Sequence, residues 1–351
     1  MKTLELFKNR IETIPLATAW SLGDLTEARG KQELFTRQSP QKLKILREHA
    51  MIESAISSNR IEGVTIDQAR VGTVIFGKSR LLDRDETDVR GYRDALKLIH
   101  EHGSALALNE ETLLRLHALS QSSAGDKGRY KENDSDIIEK HPDGRTRVRF
   151  RTVTATETPA FTRRLIDLWE DCLLERRVPP LVAVAALNLD FLCIHPFRDG
   201  NGRASRLLLL LQCYQQGFEV GRYISLERLI EENKERYYET LEISSQGWHE
   251  RRHDPWPYIN FLLFILKMAY REFEERAGQI ASPRGAKADL VLSAIRSQHG
   301  EFRLREIERL CPGVGREWVR TLMLQLKASG ELTCQGKGQG ARWTYHPDKA
   351  G

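Results

Sequence analysis

One apolar segment constrains the fold of this chain more than any other feature. Residues 181–194 read LVAVAALNLDFLCI, and only Asn188 and Asp190 among them are polar. A helix that is apolar on nearly every side has to be buried inside the protein. Residues 207–211, five consecutive leucines, repeat this character a short distance along the chain. The sequence therefore predicts two buried central helices within a mainly α-helical fold.

Apolar residues recur at helical spacing in most of the remaining chain, which predicts further helices over residues 39–61, 90–100, 109–121, 160–176, 226–244 and 258–276. Between residues 128 and 159 the pattern alternates instead, and the dipeptide Asp143-Gly144 favours a tight turn. We expect a β-hairpin there, with one apolar and one basic face. Its apolar residues are Ile137, Ile138, Val148 and Phe150.

The last part of the chain has the composition of a separate unit. Residues 276–287 are rich in Gly, Ala, Ser and Pro and predict a linker, and three short helical patterns and a hairpin over 331–345 follow. This order is typical of a winged helix-turn-helix. Residues 283–346 contain eleven Lys and Arg and six Asp and Glu, so their net charge of 11 − 6 = +5 equals that of the whole chain. DNA is therefore one candidate partner of this unit, and another protein is the alternative.

Composition limits the class of protein. The chain has 351 residues, of which 40% are hydrophobic and 29% charged, as in folded proteins of about two domains. Its five cysteines include no CxxC pair and no zinc-type spacing, which favours free thiols in a reducing compartment. The sequence shows neither a signal-peptide pattern nor an uncharged apolar run long enough to span a membrane. We expect a cytoplasmic protein without a membrane partner.

The segment between the two central helices, residues 195–206, reads HPFRDGNGRASR and has the features of an anion site. Gly200 and Gly202 let backbone N–H groups approach a ligand closely, at the N-terminus of a helix that favours negative charge. Arg203 and Arg206 are three residues apart, so both project to one side of that helix. Two guanidinium groups beside such a turn indicate a polyphosphate ligand.

Two further residues of this segment add chemistry to the anion site. Asp199 supplies the hard oxygen that Mg²⁺ prefers beside a phosphate. His195, at the end of the buried helix, can accept a proton near neutral pH. A lone histidine at a helix end is more often structural, and a lone GNG is usually a turn, but the combination favours phosphoryl or nucleotidyl transfer.

The whole segment fits the pattern HPFxDGNGRxxR, and through it the chain resembles the Fic family. The resemblance implies a helical core that transfers a nucleoside monophosphate, by default AMP from ATP, to a Ser, Thr or Tyr hydroxyl of another protein. It implies that His195 is the general base and that Asp199 holds Mg²⁺. The phosphate contacts that it implies are Gly200, Asn201 and Gly202 for the α- and β-phosphates, Arg203 for the β-phosphate and Arg206 for the γ-phosphate.

The same resemblance gives two other segments a role. Fic proteins have a hairpin flap that aligns the target by strand-like pairing, and the predicted hairpin with Ile137, Ile138, Val148 and Phe150 resembles it. Tyr237 lies in a pair of tyrosines that resembles a family segment flanking the adenine. Paired tyrosines in a helix also serve packing, so both interpretations of Tyr237 stay open.

Residues 58–63, SNRIEG, fit the inhibitory pattern [S/T]xxxE[G/N] of the Fic family. The resemblance implies that Ser58, Glu62 and Gly63 are regulatory and that Glu62 binds Arg206. A carboxylate there would remove the partner of the γ-phosphate and repel the nucleotide. Alone, the pattern would indicate only a helix that ends at Gly63. In some relatives the same Glu supports removal of AMP, so the direction of the reaction stays open.

Residues 72–79, GTVIFGKS, also satisfy the P-loop pattern GxxxxGK[ST]. A P-loop needs an apolar strand before it, whereas residues 66–71 read IDQARV. Bulky Val74, Ile75 and Phe76 also suit an anion-binding loop poorly. We interpret the match as coincidental.

These interpretations divide the chain into an N-terminal helical region (1–89) with the inhibitory helix at about 40–62, a Fic core (90–277), a linker (278–285) and a winged helix-turn-helix (286–346). Three alternatives to AMP transfer remain: a nucleotide-sensing DNA-binding regulator, a Fic enzyme with another donor such as UTP, GTP or a phosphocholine nucleotide, and AMP removal. The presence of His195 argues against a purely sensory core, because sensing needs no base. A homodimer is one option for the assembly.

Overall fold

The computed structural model describes residues 1–9, 13–38, 40–77, 80–121, 126–140, 144–278, 286–298, 300–311, 314–336 and 338–346. Its helices are α1 (Lys2–Asn9), α2 (Leu16–Gln38), α3 (Pro40–Ile61), α4 (Val71–Phe76), α5 (Arg84–His102), α6 (Glu110–Ser120), α7 (Thr158–Leu174), α8 (Pro180–Ile194), α9 (Asn201–Gln215), α10 (Leu226–Glu232), α11 (Lys234–Ser245), α12 (Trp256–Gly278), α13 (Ala286–Arg296), α14 (Leu304–Leu310) and α15 (Arg316–Ala328). Its strands are β1 (Ile137–Lys140), β2 (Thr146–Phe150), β3 (Glu301–Phe302), β4 (Leu332–Gln335) and β5 (Arg342–Tyr345). The predicted mainly α-helical fold is confirmed. None of the helices in the described ranges is long and apolar enough to cross a membrane.

Helices α8 and α9 form the centre of the larger core, as the sequence predicts. Every side chain of α8 from Leu181 to Ile194 is buried. Its two polar residues have partners: Asn188 donates to the carbonyl of Ser205 over 2.7 Å and accepts from the Tyr258 hydroxyl over 2.7 Å. Asp190 accepts from the Trp248 indole at 2.6 Å and from two backbone N–H groups of α1. The helix can therefore be buried without unpaired polar atoms.

The hairpin β1–β2 stands beside this core. The two strands are antiparallel, and a register shift between Ile137 and Ile138 pairs Ile137 with Phe150 and Ile138 with Val148. Because of this bulge the two isoleucines do not alternate regularly, and the predicted division into an apolar and a basic face is incomplete. Ile138 and Val148 are about half exposed, at 54% and 48%. The first residue of the predicted Asp143-Gly144 turn lies outside the described residues.

The helix predicted over residues 226–244 is wrong as a single element. The structure divides it into α10 and α11 at Asn233, whose φ of −115° is not helical. The Asn233 amide donates to the carbonyl of Leu229 over 2.9 Å, which gives the backbone an alternative to the helical hydrogen bond. Where the P-loop pattern lies, residues 71–76 form helix α4, and residues 78–79 are outside the described ranges.

The C-terminal unit contains α13, α14 and α15 and an antiparallel sheet of order β3-β5-β4, around a core of its own. Of the predicted linker, Gly278 belongs to α12 and residues 279–285 lie outside the described ranges. The predicted boundary at 89/90 falls within α5, which begins at Arg84 because the Asp83 carboxylate caps the Glu86 N–H over 2.8 Å. The interpretation of the last unit as a winged helix-turn-helix stays a prediction.

Candidate active site

His195 lies where the buried helix α8 ends. Its backbone has φ 52° and ψ 61°, the left-handed conformation that only a few non-glycine residues adopt. Its Nδ1 is 3.3 Å from the Leu192 carbonyl, an acceptor that requires the proton to be on Nδ1. The other ring nitrogen, Nε2, is then the basic one. The sharp turn thus ends the helix and orients a histidine that can accept a proton.

The loop after His195 is held by side chains that bond its backbone. Asn201 accepts from the Phe197 N–H over 2.9 Å and donates to the Phe197 carbonyl over 2.7 Å. The buried Phe197 ring stacks on His117, with ring centres 3.7 Å apart. His117 accepts from the Gly128 N–H at Nδ1 and donates from Nε2 to the Asp199 carbonyl over 2.9 Å. Asn201 and His117 therefore hold the conformation of this loop by hydrogen bonds and ring stacking.

Gly200, which has φ 81°, is the N-cap of helix α9, and the first turn of this helix contains the predicted phosphate contacts Gly202 and Arg203. The side chain of Arg203 is 2% exposed and its Nη1 lies 2.8 Å from Asp88 of α5. Arg203 also donates to Gln121 over 2.6 Å and to Asn59 over 3.3 Å. These contacts fix the guanidinium before any ligand binds.

Arg206, one turn further along α9, is bound by the end of α3. It donates from Nη2 to Glu62 over 2.8 Å, and from Nε and Nη2 to the hydroxyl and carbonyl of Ser58 over 2.8 Å each. Its buried Nη1 has no hydrogen-bond partner in the described part of the chain. Gly63, with φ 83°, ends the helix just after Glu62. A Cβ atom added to Gly202 would overlap the Glu62 carboxylate, so this carboxylate lies directly against the first turn of α9.

Asp199 has a half-exposed carboxylate that faces α5 and α6. It accepts from Arg84 over 2.9 Å and from Gln121 over 3.1 Å. Burial alone would raise the pKa of Asp199, but the Gln121 hydrogen bond and the nearby Arg203 hold that pKa below its usual value. The described residues contain no cluster of three metal-ligating side chains. One exposed carboxylate still fits Mg²⁺, which takes one or two carboxylates together with substrate phosphates.

A cleft of about 350 Å³ opens beside these residues. His195, Gly202 and Glu62 line it, and the hairpin β1–β2, called the flap below, contributes Ile137 and Phe150. Its volume is within the usual range for ligand pockets. Tyr237, Tyr238, Leu241 and Glu242 of α11 also line it.

Ion pairs hold the flap over this cleft. Arg147 and Arg149 of β2 each contact the Glu242 carboxylate at 2.7 Å. Phe150 packs on Trp248 and His249.

Residues 107–213 match the family model described as "Fic/DOC family". This segment is a Fic/DOC domain. It contains α6, the flap, α8, the loop at 195–200 and nearly all of α9, whereas Glu62 and Tyr237 lie outside it.

Solved structures of Fic proteins share the fold of the chain. A Fic family protein from Desulfovibrio desulfuricans G20 aligns over 95% of this chain and 97% of its own, with TM-score 0.62 and 23% identity. A Fic domain containing signaling protein from Bacteroides thetaiotaomicron VPI-5482 aligns over 73% and 97%, with TM-score 0.61 and 21% identity. Fic-1 from C. elegans aligns over 79% and 82%, with TM-score 0.58 and 17% identity. At these identities the likeness shows the fold.

The Fic/DOC domain keeps its histidine neutral. Burial, assisted by the positive charge of Lys131, lowers the pKa of His195 to about 4, against the opposing effects of the Leu192 hydrogen bond and of Glu62 and Asp199. The imidazole is therefore in its basic form throughout the physiological pH range.

The structure brings most of the predicted site residues together. Asn201, Tyr237, Ile138 and Val148 differ from their predicted roles in the contacts that they make. The Asn201 amide is used within the loop, so a phosphate contact from this side chain stays a prediction. Tyr237 lines the cleft but is 2% exposed and packs on Tyr258 and Phe261. Ile138 and Val148 are on the outer surface of the flap and do not line the cleft.

Sequence reasoning missed the residues that hold the site from outside the motif. These are Arg84, Asp88, His117, Gln121 and Lys131. Each is a single polar residue in a helix or loop that contains no recognisable sequence motif. No spacing rule marks such residues, because their partners are distant in the sequence.

Proposed function

We propose that this protein is an adenylyltransferase that transfers AMP from ATP to a Ser, Thr or Tyr hydroxyl of a target protein, and that Glu62 inhibits the transfer. One observation carries the proposal. His195 and Gly202, which lies in the N-terminal turn of α9, line a single cleft, and the same end of α9 carries two buried arginines, Arg203 and Arg206. A base beside a polyphosphate site is what nucleotidyl transfer requires.

In the proposed reaction His195 Nε2 takes the proton of the target hydroxyl, and the hydroxyl oxygen attacks the α-phosphorus of ATP. The new P–O bond forms as the bond to the β-phosphate oxygen breaks, and pyrophosphate leaves. Arg203 and the N–H groups at the start of α9 stabilise the negative charge on the phosphates. The flap holds the target beside the cleft by strand-like pairing, with Ile138 and Val148 exposed for contact.

Mg²⁺ is the proposed cofactor. Asp199 is the residue that would hold it, together with phosphate oxygens of ATP. When bound, the ion neutralises phosphate charge and favours departure of pyrophosphate.

The contacts of Glu62 support the inhibitory role. Its carboxylate already occupies the position of an anion, against the first turn of α9 and 2.8 Å from Arg206. A γ-phosphate directed to Arg206 would meet this negative charge instead of a free guanidinium. The unpaired Nη1 of Arg206 shows hydrogen-bonding capacity that the carboxylate does not use.

The test compares wild type, Glu62→Gly and Glu62→Gly/His195→Ala with ATP labelled at the α- or the γ-phosphate. We expect α-label on protein to rise several-fold or more in the single variant and to vanish in the double variant. Asp67→Gly, which removes an exposed acid five residues away, serves as the control and should label like wild type. Equal labelling of wild type and Glu62→Gly would remove the inhibitory assignment.

The same assay separates the alternatives. Protein label from the γ-phosphate would indicate a kinase-type reaction. Transfer retained without His195 would exclude it as the base. Label from UTP or GTP in place of ATP would assign another donor to the same site, and release of AMP from labelled protein by wild type would assign the reverse reaction.

A further inference from the structure

Lys131 connects the flap to the loop of His195. It follows the segment that contacts His117, and its side chain is 4% exposed. Its ammonium donates to the Thr152 hydroxyl over 2.7 Å and to the Ile194 carbonyl over 3.4 Å. Its backbone N–H donates to the Pro196 carbonyl over 3.0 Å. One residue thus binds the carbonyls on both sides of His195.

The other end of this connection is the base of the flap. Thr152, just after β2, accepts from Lys131 and donates to the Ser135 carbonyl over 2.7 Å, just before β1. Residues 135 and 152 therefore bracket the hairpin. The buried ammonium is bonded both to the part that would hold the target and to the part that would hold the base.

The backbone of His195 explains why such bonds matter. A non-glycine residue in the left-handed region is strained, and it persists only where its surroundings fix the neighbouring peptide groups. The bond to the Ile194 carbonyl fixes the peptide group before His195, and the bond to the Pro196 carbonyl fixes the peptide group that follows Pro196. The direction of the His195 side chain follows from them.

We infer that Lys131 is a positioning residue, which sets the His195 imidazole and the flap in the mutual geometry that transfer needs. This inference rests on the proposed function, because it assigns Lys131 a part in the same reaction. Lys131 touches neither the target hydroxyl nor the nucleotide in this role.

The charge of Lys131 has a second effect on the same imidazole. Burial lowers the pKa of Lys131 to about 8, against the nearby Asp134 and Asp136, so the side chain is mainly a cation at pH 7. That cation disfavours a second positive charge on His195. Other charged groups line the cleft around His195, namely Glu62, Arg198 from the loop, Asp136 and Arg149 from the flap segment, and Glu242 from α11. The negative charge of Asp199 also acts on the imidazole.

The experiment uses the full chain with Glu62→Gly as background and adds Lys131→Met, which removes the ammonium but keeps the length of the side chain. We expect kcat to fall about tenfold to a hundredfold, as for a small displacement of a catalytic group. The KM and Kd for ATP should stay within about twofold, because the phosphate contacts are untouched. The His195 pKa, followed by NMR, should rise by about half a unit or more.

Two further variants sharpen the result. Lys127→Met removes an exposed cation from the same segment and should leave kcat and the His195 pKa unchanged. Lys131→Arg keeps a cation and hydrogen-bond donors and should recover a substantial part of kcat. A folding defect would instead appear as a lower urea midpoint of unfolding, which circular dichroism follows independently of ATP binding.

The outcomes separate this inference from the proposed function. An unchanged kcat and an unchanged His195 pKa in Lys131→Met, with active Glu62→Gly, overturn the role of Lys131 alone. A fall in ATP affinity as large as the fall in kcat also overturns it. If Glu62→Gly transfers no label, the proposed function fails, and the role of Lys131 in transfer fails with it.

Discussion

At the scale of single residues, the carboxylate of Asp199 is already in contact with a cation. Arg84 lies 2.9 Å from it, and both side chains are about half exposed, at 56% and 52%. A divalent ion that used the same oxygen would have to displace the guanidinium. Arg84 therefore competes with the proposed Mg²⁺ for Asp199.

Arg84→Gln should lower the Mg²⁺ concentration that gives half-maximal transfer. Exposed ion pairs are weak, so a change of about two- to fivefold is expected. The measurement is a Mg²⁺ titration of α-label transfer in the Glu62→Gly background. Arg115→Gln, an exposed change on α6, is the control. An unchanged or increased Mg²⁺ requirement in Arg84→Gln would contradict the competition.

The histidine base predicts a particular pH profile. Because the pKa of His195 is lowered to about 4, the imidazole is neutral and basic above that value and protonated below it. The kcat/KM of Glu62→Gly, which reports the free enzyme, should therefore stay flat on the acid side down to about pH 5 and fall as the pH drops through about 4. An acid limb near 6.5, the ordinary value for histidine, would contradict a buried base.

The residues of the motif were accessible to sequence reasoning, whereas their surroundings were not. Arg203 is recognisable from HPFxDGNGRxxR, but nothing in that pattern shows that Asp88 would bind it. Likewise His117 becomes a partner of Asp199 only because folding places α6 against the loop. A spacing rule describes contacts within one turn or one strand, and these partners are 82 or more residues away in the chain.

At the scale of elements, Asp190 of α8 connects three parts of the core. Its fully buried carboxylate accepts from the N–H groups of Thr3 and Leu4 over 2.9 and 3.1 Å, and from the Trp248 indole over 2.6 Å. A carboxylate at a helix start also interacts favourably with the helix dipole. Asp190 thus adds polar contacts to the packing of α1 on α8, where Leu4 and Phe7 are also buried.

Asp190→Ala should destabilise the protein by about 3 kcal/mol, because it leaves buried donors unsatisfied and opens space in the core. The urea midpoint of unfolding, followed by circular dichroism, measures the loss. Asp167→Ala, at an exposed position of α7, should change the midpoint little. A comparable midpoint for Asp190→Ala and wild type would show that α1 is held by apolar contacts alone.

The elements also show what local patterns miss. Helix α2, which is only weakly amphipathic, was not predicted from apolar spacing. In the structure it packs along α12, and tertiary packing of this kind stabilises most helices in proteins. The break at Asn233 was missed because its side chain bonds the backbone carbonyl of Leu229, which apolar periodicity does not report. Strand β3 has two residues, too few for any alternation.

At the scale of the whole molecule, the described residues form two separate cores, and α3 is associated with both. Ile52, in the middle of α3, packs against the Fic-side core and against the core of the C-terminal unit. The same helix ends next to Glu62, which binds Arg206. A ligand of the C-terminal unit would thus bind a unit that packs against α3, the proposed inhibitory helix.

The outward side of α15 offers contacts for both candidate partners of this unit, DNA and another protein. Arg316, Arg320 and Lys327 are exposed there, and Arg316 is also 3.2 Å from Glu308. Trp318 and Leu324 are about half exposed on the same helix, at 47% and 48%. The basic residues favour DNA, since exposed Arg and Lys bind phosphates whatever the base sequence.

We expect duplex DNA to be retarded in a gel by wild type and by His195→Ala alike, with affinity that falls steeply as salt increases. Arg320→Ala/Lys327→Ala should weaken binding to different sequences about equally and reduce the slope of log K against log salt by about two. Lys97→Ala, an exposed change on α5, should leave the slope unchanged. If no salt-dependent retardation is found, the DNA-binding regulator is excluded, and the exposed Trp318 and Leu324 then favour a protein partner for this unit.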